Sequence, residues 1–281
     1  MVDGDLLVSG GYKPHLINCQ YPLDTERKTI MEVQYFKQYS HSLNRDMECK
    51  VYGHKGRPVL FIPCQDGRFF DFENFHMTDT WNPWIESGEV MVFSIDTIDT
   101  STWSDFWGNA RWRIERYEQW IHYIVDEVVP FMRQMVNERN GWTGYPGILV
   151  FGCSLGATHA ANLYFRFPDI FDRVLALSGL YSASYGFGIY NDDLVFLNST
   201  VDYLRSMPND HPNIANYNLK KAVFCVGQGP WEKPDYTREL QQVLTEKGIH
   251  AWVDYWGYDC SHDWCWWHKQ VEYFLPYLLE Q

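Results

Sequence analysis

The stretch Gly147–Phe167, "GILVFGCSLGATHAANLYFRF", changes character halfway along. Ile148 to Phe151 form a continuous apolar run that predicts a short strand buried on both faces, and Ala157 to Phe165 predict a helix. Between them stands Gly152-Cys153-Ser154-Leu155-Gly156, a turn without Pro, Asn or Asp and with a glycine two residues to either side of a serine. A strand that turns sharply into a helix on one residue projects that side chain away from the backbone. It also brings the flanking positions so close together that only glycine fits. The helix then begins beneath the serine with its first N–H groups free, and that of Leu155 is placed to receive developing negative charge.

Outward from this turn, the apolar runs Pro58–Pro63, Val90–Asp96, Arg173–Gly179, Lys221–Gln228 and His250–Trp256 read as further strands. Thr29–Tyr39 and Asp46–Tyr52 alternate and predict an antiparallel hairpin, preceded by an irregular arm over residues 1–28. Ile114, Tyr117, Ile121, Ile124, Val128, Met132 and Met135 make one apolar stripe along a helix from Ala110 to Asn137, with a kink or break expected at Pro130. Tyr236–Lys247, closed by Gly248, and Asp263–Gln281 complete the helices. A hairpin followed by strand–helix alternation predicts an α/β fold: a mostly parallel central sheet with an antiparallel N-terminal edge and helices on both faces. Residues 1–281 read as one domain, with the irregular stretch 181–218 as a small lid.

Composition narrows the function. The chain of 281 residues is 46% apolar and 21% charged, with a net charge of −13, which disfavours nucleic-acid backbones and anionic membranes as partners. No apolar run approaches the ~20 residues of a membrane span. The seven cysteines, an odd number, do not form a disulfide framework. They read as reduced thiols, so a cytoplasmic location is expected, and the N-terminus shows no basic start leading into an apolar core.

A serine hydroxyl needs a base, and the base a carboxylate to orient it. In a sheet of this kind the partners follow in the order serine, acid, histidine, at the ends of later strands. His262 lies in the loop between the last strand and the last helix, whereas His250 opens a strand, His268 sits inside a helix and His211 belongs to the irregular stretch. The acid should follow Lys221–Gln228, where Glu232 is preferred and Asp235 is the rival. Asp263 reads as a helix cap. The second oxyanion donor is expected after Pro58–Pro63, at the N–H of Gln65, with Gly67 folding the loop back. Cys153 reads as a small apolar filler below the turn.

The segments "GCSLGATHAANLYFRFPDIFDRVLALSG", "GQGPWE" and "HDWCWW" resemble the putative-esterase family of the α/β-hydrolase fold, over roughly Tyr35 to the C-terminus. That family includes S-formylglutathione hydrolases, feruloyl and acetylxylan esterases, enterochelin esterases and mycolyltransferases. Glu232 stands where relatives have aspartate, and Ala157 where they often have glycine. The resemblance implies a carboxylic ester hydrolase working through Ser154, His262 and Glu232, with a thioesterase or acyltransferase as the alternative. An inactive hydrolase fold used for binding is the non-enzymatic alternative. No metal or organic cofactor is required. Cys260, His262, Cys265 and His268 have zinc-ligand chemistry, but a single run cannot easily surround an ion, and a zinc site would compete with the triad for His262. The expected partner is a small-molecule or carbohydrate-linked ester, with self-association into a homo-oligomer left open. Aromatic side chains on the site-forming loops, Phe69, Trp103, Trp231 and Trp264 foremost, are candidates for contact with an apolar, ring-bearing or sugar-linked ester.

Overall fold

The structure, a computed structural model, describes residues 31–144 and 146–280. The irregular arm expected over residues 1–28 lies outside the described residues. Eight strands form one sheet: β1 (Val33–Ser40), β2 (Arg45–Tyr52), β3 (Arg57–Ile62), β4 (Val90–Ile95), β5 (Ile148–Cys153), β6 (Phe171–Leu177), β7 (Lys221–Val226) and β8 (Trp252–Tyr255). Their order is β1-β2-β4-β3-β5-β6-β7-β8. β1 and β2 pair antiparallel, as do β2 and β4, and every later pairing is parallel.

Period-two alternation sorts the central strands between two cores. Leu60, Ile62 and Val150 point to one face, beneath α3 (Ala110–His122), α4 (Val129–Asn140) and α5 (Leu155–Arg166). Val59, Phe61, Leu149, Phe151 and Cys153 point to the other. That second layer is closed by α1 (Asp71–Asn74) and α2 (Met77–Glu86), numbered first because they precede α3 in the chain, and by the final helix. Helices α6 (Ser184–Phe187), α7 (Asp193–Leu197), α8 (Thr200–Ser206) and α9 (Pro212–Asn218) occupy the stretch between β6 and β7. After β7 come α10 (Pro234–Lys247), ended by Gly248 at φ +65°, and α11 (Trp264–Leu279).

Three regions depart from the sequence reading, the first being the stretch 181–218, expected to be irregular, which carries the four short helices α6 to α9. The helix beginning at Ala110 neither breaks nor stops at Pro130. It widens into π-helical geometry over Tyr123–Val128 and resumes as α4, with Pro130 in its first turn. A proline lacks the N–H that would bond Asp126 and its ring crowds that carbonyl, so a wider turn just before it relieves both problems without ending the helix. Helices α1 and α2 have no counterpart in the sequence reading. Phe72, Met77, Trp81 and Ile85 bury them against the second core.

The connections also locate the site. The chain leaves β3 to pair with β4 on one side, then returns across β3 to place β5 on the other. Strand order reverses between β3 and β5, and an open parallel sheet has its crevice at the carboxyl ends of two such strands. Gln65 follows β3 and Ser154 follows β5.

Candidate active site

Ser154 joins β5 to α5 at φ 57°, ψ −127°, a conformation that L-residues seldom adopt and that costs on the order of 1–3 kcal/mol. The surroundings hold it there: its N–H donates to the Leu177 carbonyl at 2.8 Å, and its own carbonyl accepts from Ala157 at 3.0 Å. The two glycines answer a need for space, since neither has positive φ. A Cβ on Gly152 would stand 2.3 Å from the Gly156 carbonyl carbon. One on Gly156 would stand 2.3 Å from the Ile62 carbonyl oxygen and 2.4 Å from that of Pro63. Because these are backbone atoms with no rotamer to yield, Gly156→Ala is expected to cost about 1–3 kcal/mol of stability, and to reduce hydrolysis at least tenfold by separating α5 from β3. Urea midpoints and turnover measured on the same preparation check both parts.

His262 reaches the serine from the far end of the sheet. Its Nε2 lies 2.9 Å from Ser154 Oγ and its Nδ1 lies 3.1 Å from Glu232 Oε2. A carboxylate only accepts, so Nδ1 carries the hydrogen and Nε2 is left to accept the serine proton. The Glu232 side chain is 1% exposed. Its other oxygen accepts from the Ser178 hydroxyl at 2.7 Å and the Gly227 N–H at 3.3 Å, so the buried charge is met by hydrogen bonds on both sides. Asp235 is 92% exposed and bonds Arg238 at 2.7 Å, away from the imidazole.

The two loops that carry Glu232 and His262 are laced together. Gln228 N–H donates to the Gly257 carbonyl, Gly229 N–H to that of Cys260, and His262 N–H to that of Pro230. A Cβ on Gly227 would lie 2.3 Å from the Cys260 carbonyl oxygen, which is why the segment before Glu232 reads Gly-Gln-Gly. The loop closes through Trp231 at φ +68°, next to the acid.

Sequence reasoning missed two supporting residues. Ser178, at φ 58° on the end of β6, donates to Glu232 and accepts the Trp267 indole N–H at 3.1 Å. Trp267 also sets its ring edge-on to His262, with centroids 5.0 Å apart. The pair "SG" closing a strand and a tryptophan five residues past the histidine were the only traces of them in the sequence.

The loop after β3, where the second oxyanion donor is expected, is shaped by the end of β4. Asp96 accepts the Phe69 N–H at 3.0 Å and the Arg68 side chain at 2.7 Å, and the Thr97 hydroxyl donates to the Gly67 carbonyl at 3.0 Å. The Gly67 N–H closes a turn on Cys64 at 2.9 Å. Gln65 is exposed, and its Oε1 accepts from the Tyr185 hydroxyl at 2.9 Å, joining the loop to α6. Leu155 opens α5, so its N–H has no carbonyl partner within the helix.

The aromatic candidates divide. Trp231 is 87% exposed beside the acid, and Trp264 stacks flat on Phe75 at 4.3 Å. Trp103 does not face the opening. It is 1% exposed, wedged edge-on among Tyr117, His159 and Phe187. Phe69 is likewise buried, its ring against Tyr35 and Phe70. Both sit on loops that β4 and α3 draw into the core, and a loop tryptophan in sequence does not reveal which way it turns.

The cysteine–histidine run after β8 points in several directions. Besides His262, His268 is buried with Nδ1 2.6 Å from Thr80 Oγ1, and Cys260 lies 3.6 Å from the Gln270 amide. Among the described residues no three His, Cys, Asp or Glu side chains gather around a common point. Asp263 occupies the cap position of α11 through its backbone, and its side chain makes no capping bond. Burial lowers the His268 pKa to about 4. Its neutral form is therefore the one that folding favours, and the stability it contributes is present above pH 6.5 and is lost as pH falls toward 4. At 1.36 kcal/mol per unit this amounts to at most roughly 3 kcal/mol. Unfolding free energies measured between pH 7 and 4.5 should fall more steeply for the native chain than for His268→Gln.

Residues 40–277 match the family described as Putative esterase. The chain belongs to that family. Membership makes it a carboxylic ester hydrolase. Solved structures that share the fold of this esterase include a ferulic acid esterase, 18% identical over 89% of this chain and 98% of that one, with a TM-score of 0.68. An S-formylglutathione hydrolase from Agrobacterium tumefaciens is 13% identical over 89% and 95%, with a TM-score of 0.68. A ferulic acid esterase from the anaerobic fungus Anaeromyces mucronatus is 11% identical over 91% and 94%, with a TM-score of 0.63. No curated protein matches the esterase significantly. Among its described residues no helix is long and apolar enough to cross a membrane.

Proposed function

We propose that the protein is a serine esterase that works through an acyl-enzyme, with Ser154 as nucleophile, His262 as base and Glu232 as the orienting acid. The observation that carries this reading is the unbroken line of contacts from Ser154 Oγ through both imidazole nitrogens to a buried carboxylate. Ser154 Oγ attacks the ester carbonyl carbon while its proton passes to His262 Nε2. The carbonyl oxygen, now negative, is received by the N–H groups of Leu155 and Gln65, and Glu232 stabilises the imidazolium. His262 then returns the proton to the leaving alcohol as the C–O bond breaks. Water adds to the acyl-enzyme by the same route, releasing the acid and restoring the serine.

The substrate we assign is a small ester with an aromatic acyl group or an acetylated or feruloylated sugar. Trp231 offers an open indole face on the loop of the acid, and Phe106 and Tyr185 pack edge-on where α6 meets the oxyanion loop. Both rings and sugars stack on such surfaces. In this reading residues 1–281 work as one hydrolase domain, with 181–218 as its small lid.

Turnover of methyl ferulate, acetylated xylose, p-nitrophenyl acetate and a glutathione thioester tests the assignment. kcat/KM on the feruloyl or sugar ester should exceed that on the thioester at least tenfold. The reverse ranking would move the protein to the thioesterases, and no turnover of any of the four would overturn the reading.

A further inference from the structure

A buried polar chain lies behind the oxyanion loop, and the chemistry above does not use it. His159, on α5, is fully buried, and its Nε2 is 3.0 Å from Oδ1 of Asp99, which is 2% exposed. Its Nδ1 is 2.8 Å from the Tyr117 hydroxyl. The rings of Trp103 and Trp120 stand edge-on to the imidazole, at 5.6 and 5.2 Å, and hold it in one orientation. The partners fix its tautomer. The carboxylate can only accept, so Nε2 carries the hydrogen. Nδ1 then accepts from Tyr117, whose oxygen receives the Asn162 amide at 3.5 Å.

The second oxygen of Asp99 accepts the Asp66 N–H at 3.4 Å. Asp66 follows Gln65 directly and is held at φ 60°. Burying a carboxylate is costly unless its bonds are made, and neither of these two bonds comes from a lysine or arginine. They run instead to the nucleophile's helix on one side and to the oxyanion loop on the other.

We infer that Asp99, itself fixed by His159, is a positioning residue for the oxyanion hole. It anchors the peptide between Gln65 and Asp66, and so sets the direction of the neighbouring Gln65 N–H. The anchor is referenced to α5, whose first N–H at Leu155 is the other donor. One rigid helix thus places both donors and the nucleophile. The inference rests on the reading of Gln65 and Leu155 as the donors.

The test compares Asp99→Asn, His159→Gln and His159→Leu with the native enzyme. Asp99→Asn should lower kcat about 30- to 100-fold, short of the 10²–10³ that follows outright loss of a donor, while KM moves less than threefold. Phenylboronic acid reports on the hole directly. Ser154 Oγ adds to boron, its proton passes to His262, and one boronate oxygen takes the oxyanion position. Its affinity should fall by the same factor as kcat, while binding of the product acid stays within threefold. His159→Gln, which keeps an N–H toward Asp99, should hold kcat within about fivefold of native. His159→Leu should match Asp99→Asn. Val136→Ala, a truncation within α4, serves as a stability control.

The inference is overturned if kcat falls while boronate affinity does not, if Val136→Ala at equal loss of Tm loses as much activity, or if His159→Gln is no better than His159→Leu. Should Asp99→Asn fail to fold, the two His159 variants carry the same comparison. Failure of the native enzyme to bind the boronate would instead remove the serine-esterase reading on which the inference stands.

Discussion

Ser154→Ala is expected to abolish ester hydrolysis, with kcat reduced at least ~10³-fold, while the thermal transition stays within a few degrees of native. The substitution removes one oxygen and leaves everything that holds the elbow. The Ser154 N–H still bonds Leu177 and its carbonyl still receives Ala157. The local backbone strain remains, because alanine tolerates φ 57° no better than serine. A residual rate is expected, since the proposed oxyanion donors and His262 persist and can promote attack by water directly. A fluorophosphonate should label the native protein once, on the peptide containing residue 154, and leave the variant unlabelled. Labelling at another serine, or an alanine variant with native turnover, would reject the elbow as the seat of catalysis.

Glu232→Gln is expected to cost about 10⁴-fold in kcat, against less than tenfold for Asp235→Asn. The amide keeps the size of the side chain but can offer an N–H toward His262. The imidazole then satisfies itself by accepting at Nδ1, and Nε2 is left protonated and unable to take the serine proton. Ser178 sharpens the expectation, because its hydroxyl donates to Oε1 and the Gly227 N–H approaches the same atom. In the glutamine variant those two donors select the amide oxygen for their side, which turns the NH₂ toward the histidine. Asp235 has only a surface pairing with Arg238 to lose, and such pairs contribute about 0–1 kcal/mol. Parallel kinetics of the two variants on one ester check the assignment. A larger loss at Asp235 than at Glu232 would reverse it.

The sheet was legible because its central strands are buried on both faces, so that runs such as Val90–Ile95 carry no polar interruption except Ser94. The turn at Ser154 was legible because close backbone approach excludes side chains, which leaves glycines in the sequence. The same logic explains Gly227 and Gly229 against Cys260. What the sequence could not display were contacts between distant segments. Ser178 reaches Glu232 and Trp267, and Asp99 reaches His159, only once the sheet has formed. Trp103 shows the limit most clearly. Flanked by Thr102 and Ser104 in a polar loop, it gives no sign that the buried Arg113, bonded to the carbonyls of Thr102, Trp103 and Gly186, draws that loop inward. At Pro130 the local rule was sound, but the helix had a second way to satisfy it.

The interlaced loops that deliver Glu232 and His262 have a consequence in time. Ser154 precedes its base by 108 positions in the chain. At about 5–20 residues per second, a ribosome needs roughly 5–20 s to travel from one codon to the other. Throughout that interval the nascent polypeptide can already possess β3, β5 and the turn between β5 and α5, yet Ser154 has neither the His262 imidazole beside it nor Glu232 behind that imidazole. With the triad proposed above, hydrolysis is expected to begin only when β7 and β8 dock and bring both loops together. A fluorophosphonate applied to translating ribosomes should mark only chains extended beyond His262, which makes the probe a clock for completion of the sheet.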